Sequence, residues 1–203
     1  MKKIVIFGGA FNPPHIGHAR VIEVVLKDFP ADEFWIMPSA DRYDKKVSVS
    51  GDQRLRMVAI MINELFPASK IPIILSDLEI KRPRPTVTYE TKEELEKTYP
   101  DYEFYFLIGS DSLADVENKW VRGKKLYETA NFVVLERPGY LLPTKLPPHL
   151  TKIHWSPSGN ISSTEIKKML SRGESADNLL SKGVADYIKR NRLYKESESI
   201  KGN

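Results

Sequence analysis

Residues 4–18 of the chain read Ile-Val-Ile-Phe-Gly-Gly-Ala-Phe-Asn-Pro-Pro-His-Ile-Gly-His. The apolar run at the start of this stretch, residues 4–7, predicts a buried parallel β-strand. Gly8 and Gly9 end the strand, and a glycine turn lets backbone N–H groups approach a ligand closely. The sequence that follows, residues 15–29, predicts an amphipathic helix. The stretch therefore predicts a strand, a ligand-facing turn and a helix in direct succession.

Two histidines lie at the start of the predicted helix. His15 and His18 are three residues apart, so both project from one face of its first turn. The N-terminus of a helix carries partial positive charge and N–H groups without intrahelical partners. Two imidazoles at that terminus, beside a glycine turn, predict an anion site, with phosphate as the expected anion. Neither of the familiar phosphate fingerprints, GxxxxGK[ST] or GxGxxG, is present.

The bulk composition is that of a globular protein. The 203 residues are 41% apolar and 29% charged, which predicts a substantial hydrophobic core. The absence of cysteine excludes disulfides and thiolate metal sites. No apolar run approaches the length of a membrane span, and residues 1–3 lead into a strand without a signal peptide, so we expect a cytoplasmic protein without a membrane partner. The net charge of +4 is spread along the chain and does not identify a partner.

Apolar runs that predict strands alternate with segments of helical periodicity. The predicted strands are residues 3–7, 33–37, 71–75, 103–108, 132–135 and 153–155. The predicted helices are residues 15–29, 52–65, 88–99, 121–129 and 184–194, with a further helix after residue 162. This alternation predicts an α/β fold, a Rossmann-like doubly wound parallel sheet with helices on both faces. Ligands bind such sheets at the carboxyl ends of the strands, so residues that directly follow strands are the candidate site.

Polar residues with capping or binding chemistry follow several of these strands. Gly109 lets a ligand approach, and Asp111 just beyond it can accept hydrogen bonds from ribose hydroxyls or cap the next helix. Thr88 is a candidate N-cap for the third predicted helix. Residues 162–164 are Ser-Ser-Thr before an apolar-periodic run, and Ser162 with Glu165 predicts a capping box.

The stretch from Gly8 to His18 resembles the signature of the HxGH nucleotidyltransferase superfamily, and it is especially similar to the nicotinate (nicotinamide) mononucleotide adenylyltransferases. Similar motifs follow in order: Gly-Ser-Asp at 109–111, Arg-Pro-Gly-Tyr at 137–140 and Ser-Ser-Thr-Glu-Ile-Lys at 162–167. The resemblance implies that residues 1–194 form a single nucleotidyltransferase domain. Residues 195–203 are predicted to form a polar C-terminal tail.

The resemblance also implies a reaction and a set of site residues. The reaction is transfer of AMP from ATP to nicotinate mononucleotide, giving deamido-NAD and pyrophosphate by in-line attack of the mononucleotide phosphate on the α-phosphate. The implied catalytic residues are His15 and His18. The implied ATP-binding residues are Gly8, Gly9, Ala10, Phe11, His18, Gly109, Asp111, Arg137, Ser162, Ser163, Thr164 and Lys167. The implied mononucleotide-binding residues are Asn12, Lys45, Thr88 and Trp120. We expect Mg²⁺, held mainly by the ATP phosphates, and no nucleic-acid partner.

Three positions depart from the family pattern. Lys45 follows Tyr-Asp where the family usually has Pro-His, which leaves open whether it or Lys46 contacts phosphate. Val87 stands at the family's tyrosine, and Lys167 replaces an arginine, which keeps the charge but loses the two-pronged grip on phosphate. A catalytically weak nucleotide sensor therefore stays open, as does an adenylyl- or cytidylyltransferase with another phosphorylated acceptor. The sequence does not decide between nicotinate and nicotinamide mononucleotide, and it is compatible with a homo-oligomer.

Overall fold

The computed structural model describes residues 1–40, 49–85, 87–137, 139–140, 142, 146–155 and 161–195. The strands are β1 (Lys2–Gly9), β2 (Glu33–Pro38), β3 (Ile73–Leu75), β4 (Tyr102–Gly109), β5 (Asn131–Leu135) and β6 (Leu150–Ile153). The helices are α1 (Ile16–Asp28), α2 (Gly51–Leu65), α3 (Thr88–Thr98), α4 (Ser110–Lys119), α5 (Gly123–Thr129), α6 (Ser163–Ser171) and α7 (Lys182–Arg190). Among the described residues, no helix is both long and apolar enough to span a membrane.

The six strands form one parallel sheet in the order β3-β2-β1-β4-β5-β6. On one side β1 pairs with β2, from Ile4 opposite Glu33 to Gly9 opposite Pro38. On its other side β1 pairs with β4. The strand order therefore changes direction at β1 and β4, and the carboxyl ends of these two strands border the crevice where such sheets bind ligands. The predicted Rossmann-like α/β fold is confirmed.

Helices cover both faces of the sheet, because side chains alternate between the two faces along each strand. Val5 packs in a cluster with buried residues of α1, α2, α6 and α7, including Ile22 and Met57. Ile4 and Ile6 belong to the cluster on the opposite face, which contains buried residues of α3, α4 and α5. All three β1 side chains are at most 2% exposed. The continuous apolar run at the start of β1 is thus that of a central strand buried from both sides.

Several elements differ from the sequence prediction. Helix α5 begins two residues later than the predicted 121–129, and helix α7 covers Lys182–Arg190 where 184–194 was predicted. Helix α4 was not predicted, because its only large apolar residues are Leu113 and Val116, too few to establish a helical period. Strand β6 ends at Ile153, where the prediction placed its start, because Ile153 is the partner of Leu135, the last residue of β5. Strand β3 begins two residues later than predicted, after Pro72, which has no N–H to donate to a ladder.

Candidate active site

The two histidines at the start of α1 lie against each other. The backbone N–H of His15 donates to Nδ1 of His18 over 3.1 Å, and the ring centroids are 3.8 Å apart with the planes tilted by 34°. Gly17 makes this arrangement possible, since a Cβ at Gly17 would stand 2.9 Å from the His15 ring. His15 is the N-cap residue, and the helix begins at Ile16. The structure therefore stacks the histidine pair that the spacing predicts on one face.

The surroundings of the pair keep both imidazoles neutral at pH 7. Burial lowers the pKa of His15 to about 4. Burial lowers the pKa of His18 well below its ordinary value, and repulsion from a charged His15 is a second, smaller cause. Because Nδ1 of His18 accepts a backbone hydrogen bond, the single proton of its neutral ring resides on Nε2. His18 thus presents an N–H donor, rather than a fixed positive charge, to an incoming anion.

In the turn between β1 and α1, the Phe11 side chain is buried, whereas the backbone at Gly8 borders open space. Phe11 adopts a left-handed conformation, with φ of 46°, and its side chain is 1% exposed. Its ring packs edge-on against Phe7 and lies 4.8 Å from the His18 ring. The Asn12–Pro13 peptide bond is cis. A Cβ at Gly8 would meet no heavy atom within 4 Å, so the backbone there borders open space. If this turn contacts ATP as predicted, its backbone and not the Phe11 ring makes the contact.

Three distant side chains hold this turn in place. Arg54 of α2 is 2% exposed, and its guanidinium donates to the carbonyl of Ala10 and to that of Ser39 beyond β2, each over 2.7 Å. The hydroxyl of Tyr194 donates to Oδ1 of Asn12 over 2.5 Å. The Ser163 hydroxyl, predicted to contact ATP, donates to the carbonyl of Pro13 over 2.9 Å.

Arg54 is a residue that the sequence motifs did not single out. It lies three and seven residues before Met57 and Met61, both buried, so it occupies the apolar face of α2. A charged residue at core spacing was the available signal, because a buried guanidinium requires hydrogen-bond acceptors around it.

A cavity of about 200 Å³ lies at the carboxyl ends of the central strands. Its lining includes four of the predicted site residues: Gly8, Gly9, Thr88 and Trp120. It also includes Ser39, Glu79, Thr91 and apolar residues of β1, β2 and β4. Trp120 is partly buried and packs against the core cluster of its face, so one edge of the indole is fixed by the protein. Thr88 is the first residue of α3 and not its N-cap, which is Val87.

The polar wall of this cavity contains residues that sequence reasoning did not single out. The Thr91 hydroxyl donates to Oε1 of Glu79 over 2.7 Å and accepts from Nη1 of Arg82 over 2.9 Å. Arg82 also forms an ion pair with Glu94. Thr91 is 1% exposed and lies four residues before buried Leu95, so it too occupies the packed face of its helix. These bonds fix the segment between β3 and α3 against the cavity.

A second group forms where β4 and β5 end. Nη1 of Arg137 donates to Oδ2 of Asp111 over 3.0 Å, and the Arg137 N–H donates to the Ser110 hydroxyl over 2.9 Å. Both side chains pass close over Gly109, where a Cβ would stand 2.2 Å from Asp111 Oδ1. That oxygen is buried and has no hydrogen-bond partner among the described residues. Asp111 is the second residue of α4, and Gly109 is the N-cap, so the predicted aspartate cap is wrong. Oδ1 of Asp111 thus lies buried against the Gly109 backbone, and the predicted contact of Asp111 with a ribose hydroxyl stays a prediction.

The start of α6 lies beside the start of α1. Ile161 Cβ is 3.6 Å from the position that a Cβ on Gly17 would take. Ser162 is the N-cap, and its hydroxyl accepts from the Glu165 N–H over 3.2 Å, which is the serine half of the predicted capping box. Thr164 is exposed and Lys167 is half-buried one turn further on. The hydroxyl-rich helix start and the histidine pair therefore border a common region.

The structure does not test two of the expectations. Lys45 and Lys46 lie outside the described residues, so the choice between them stays a prediction. Within the ranges described above, no group of three or more histidine, aspartate or glutamate side chains could hold a metal ion. The expected Mg²⁺ stays a prediction as well.

Comparison with known proteins identifies the family. The model of the cytidylyltransferase-like family matches residues 6–169. A probable nicotinate-nucleotide adenylyltransferase of Oceanobacillus iheyensis is 35% identical over 195 residues, covering 96% of this chain and 97% of the relative. A probable nicotinate-nucleotide adenylyltransferase of Shewanella pealeana is 33% identical over 219 residues, covering 98% and 99%.

Solved structures agree with this result. The Plasmodium falciparum nicotinic acid mononucleotide adenylyltransferase complexed with NaAD has a TM-score of 0.79 at 29% identity, covering 96% of this chain and 98% of that one. The structure of that protein complexed with APC has a TM-score of 0.76 at 26% identity, with the same coverage.

The chain therefore belongs to the cytidylyltransferase-like family. Its relatives within that family include the nicotinate-nucleotide adenylyltransferases, so the resemblance seen in residues 8–18 is confirmed. The individual site roles that the resemblance implied stay predictions.

Proposed function

We propose that the chain transfers the adenylyl group of ATP to nicotinate mononucleotide, forming deamido-NAD and pyrophosphate. The observation that carries the proposal is the stacked His15–His18 pair at the end of a turn whose glycines line the cavity. Relatives named for this reaction match nearly the whole chain and support it.

The reaction needs alignment more than activation. An oxygen of the mononucleotide phosphate attacks the α-phosphorus of ATP, a new P–O bond forms, and the bond to the bridging oxygen breaks to release pyrophosphate. The attacking phosphate is already a nucleophile, so no serine, cysteine or lysine has to be activated. The protein must hold two polyanions in line and stabilise the charge that accumulates around the α-phosphorus.

The histidine pair supplies donors for that charge. The Nε2–H of His18 donates a hydrogen bond to an α-phosphate oxygen. His15 and the backbone N–H groups of residues 8–11 contribute further polar contacts. Neutral imidazoles suit this role, because N–H donors buried away from water stabilise developing charge strongly and need no reorganisation during the reaction. A bound polyphosphate also favours protonation of both rings by its own charge.

The other groups divide the two substrates between them. At the start of α6, the side chains of Ser162, Thr164 and Lys167 hold the departing pyrophosphate, with a single-pronged lysine in place of the family's arginine. Ser163 contributes its backbone N–H, because its hydroxyl donates to the Pro13 carbonyl. Asp111 accepts from a ribose hydroxyl of ATP, positioned by Arg137. Trp120 stacks on the pyridine ring inside the cavity, where Thr88 also contacts the mononucleotide. Mg²⁺ enters with ATP, carried mainly by phosphates and water.

The test is a substrate matrix. The purified chain is incubated with Mg²⁺, ATP or CTP, and nicotinate mononucleotide, nicotinamide mononucleotide or phosphopantetheine, and both pyrophosphate and the dinucleotide product are measured. We expect the highest kcat/KM with ATP and nicotinate mononucleotide. Faster turnover with CTP or phosphopantetheine would assign a different reaction of the same superfamily. ATP binding without pyrophosphate release from any pair would indicate a nucleotide sensor.

A further inference from the structure

One buried side chain reaches the candidate site from the far end of the described chain. Tyr194 is 7% exposed and belongs to the core cluster that also contains Phe11. Its hydroxyl donates to Oδ1 of Asn12 over 2.5 Å, across 182 positions of sequence. Asn12 is one of the residues proposed to contact the mononucleotide, whereas Tyr194 has no part in the reaction described above.

We propose that Tyr194 is a positioning residue that sets which end of the Asn12 amide faces the mononucleotide phosphate. The inference rests on the proposed function. An asparagine amide has an acceptor oxygen at one end and a two-proton donor at the other. An anion can be bound only by the donor end. Because Oδ1 is held by Tyr194, Nδ2 is the end of the amide that is left to meet the ligand.

The surroundings of Tyr194 fix the direction of this hydrogen bond. The cationic guanidinium of Arg54 lies close enough to act on the phenol electrostatically, and a guanidinium carries donors only. The phenol oxygen therefore faces a group that cannot accept its proton, and the proton goes to Asn12. Burial raises the pKa of Tyr194, so the hydroxyl keeps that proton throughout the neutral range.

The backbone around Tyr194 is also held in an unusual conformation. Tyr194 and Arg192 both have positive φ, of 62° and 51°. The Leu193 N–H donates to the Ile188 carbonyl of α7 over 3.0 Å, and Leu193 is itself buried. Non-glycine residues persist in the left-handed region only where their surroundings determine the conformation. The backbone after α7 therefore holds the Tyr194 side chain in one position against the turn that contains Asn12.

The experiment is a double-mutant cycle on kinetic constants. Tyr194→Phe keeps the ring and removes the hydroxyl, Asn12→Ala removes the amide, and the third variant carries both changes. We expect Tyr194→Phe to raise KM for nicotinate mononucleotide about tenfold, the size of effect a lost hydrogen bond produces, while KM for ATP stays within twofold. Because Tyr194 acts through Asn12, Tyr194→Phe is expected to have no further effect in the Asn12→Ala background.

Tyr187→Phe is the matched control, since it removes a hydroxyl from α7 and is expected to leave all constants unchanged. Circular dichroism melting verifies that each variant is folded. Asn12→Asp is a second variant that keeps the oxygen for Tyr194 but has no amide donor, and we expect it to lose mononucleotide affinity at least as strongly as Asn12→Ala.

Wild-type kinetics in Tyr194→Phe, equal effects on both substrates, or additive effects in the double variant would overturn the role of Tyr194 and leave the proposed function standing. Wild-type affinity in Asn12→Asp would do the same, even if Tyr194→Phe does not fold. A wild-type chain without adenylyl transfer would remove the proposed function, and this inference with it.

Discussion

The proposed mechanism assigns the Nε2–H of His18 as a donor to an α-phosphate oxygen, since Nδ1 of the same ring already accepts from the His15 N–H. Replacing His18 by alanine removes that donor and is expected to lower kcat about 10²- to 10³-fold, the usual cost of one preorganised donor to a developing oxyanion. Steady-state rates of pyrophosphate release measure the effect. His149→Ala is the control. His149 lies just before β6, at the amino ends of the parallel strands, whereas the site lies at their carboxyl ends. A kcat for His18→Ala within threefold of this control would remove His18 from the mechanism.

At the residue scale, the sequence was informative where a role depends on neighbours in the chain. His15, Gly17 and His18 form a local pattern, and the structure stacks the two rings over a glycine that leaves room for them. Arg54 and Tyr194 could not be assigned in that way. Arg54 bonds to residues 44 and 15 positions away and Tyr194 to one 182 positions away, so their roles appear only after the chain has folded.

At the scale of elements, Arg54 joins the turn after β1 to the turn after β2. We expect Arg54→Lys to lower the free energy of unfolding by about 1–3 kcal/mol, because one ammonium cannot span two carbonyls that a guanidinium fork reaches together, and a buried charge that loses a partner is costly. Urea unfolding measures the difference. Arg56→Lys, at an exposed position on the same helix, is the control and is expected to change stability by less than about 0.5 kcal/mol. Equal stabilities of the two variants would contradict the role of Arg54 in joining the two turns.

Strong periodicity predicted the elements that surround the site, and weak periodicity hid one of them. The strand at residues 4–7 and helix α1 were recognised because long apolar runs and amphipathic spacing are local properties. Helix α4 carries only Leu113 and Val116 as large apolar residues, and it became visible only through its packing on the sheet. The end of β6 depends on where β5 ends, which is a matter of pairing and not of composition.

At the scale of the whole molecule, the buried histidines make stability depend on pH. The pKa of His15 is about 4 in the folded chain against an ordinary 6.5, so between these values the unfolded chain binds more protons. Stability is therefore expected to be complete above pH 6.5 and to be lost as pH falls toward 4, with His15 alone contributing a loss of about 2 kcal/mol between pH 7.5 and pH 5. His18 acts in the same direction.

The measurement is urea unfolding at both pH values for the wild type and for His15→Asn. Groups other than His15 and its neighbour His18 contribute equally to the two proteins, so the difference between their pH effects isolates the histidine pair. We expect a clearly smaller loss of stability in His15→Asn. An unchanged loss would mean that His15 titrates normally in the folded chain.

The fold class and the family could be predicted from the sequence because both depend on features spread along the chain: alternating periodicities and motifs in a fixed order. The polar wall of the cavity could not. Glu79 follows β3 and Thr91 lies in α3, and their common wall is created by the crossing of strands and helices above the sheet. Fold-level patterns state that such a wall exists, whereas its chemistry depends on tertiary packing.

The three anchors of the turn after β1 come from successive parts of the polypeptide: Arg54, then Ser163, then Tyr194. During synthesis the ribosome adds them in that order, after the turn itself. A nascent chain can thus collapse around its central strand before this turn has received all three of its anchors. Tyr194, which follows the turn by 182 positions, is the last of the three to be added.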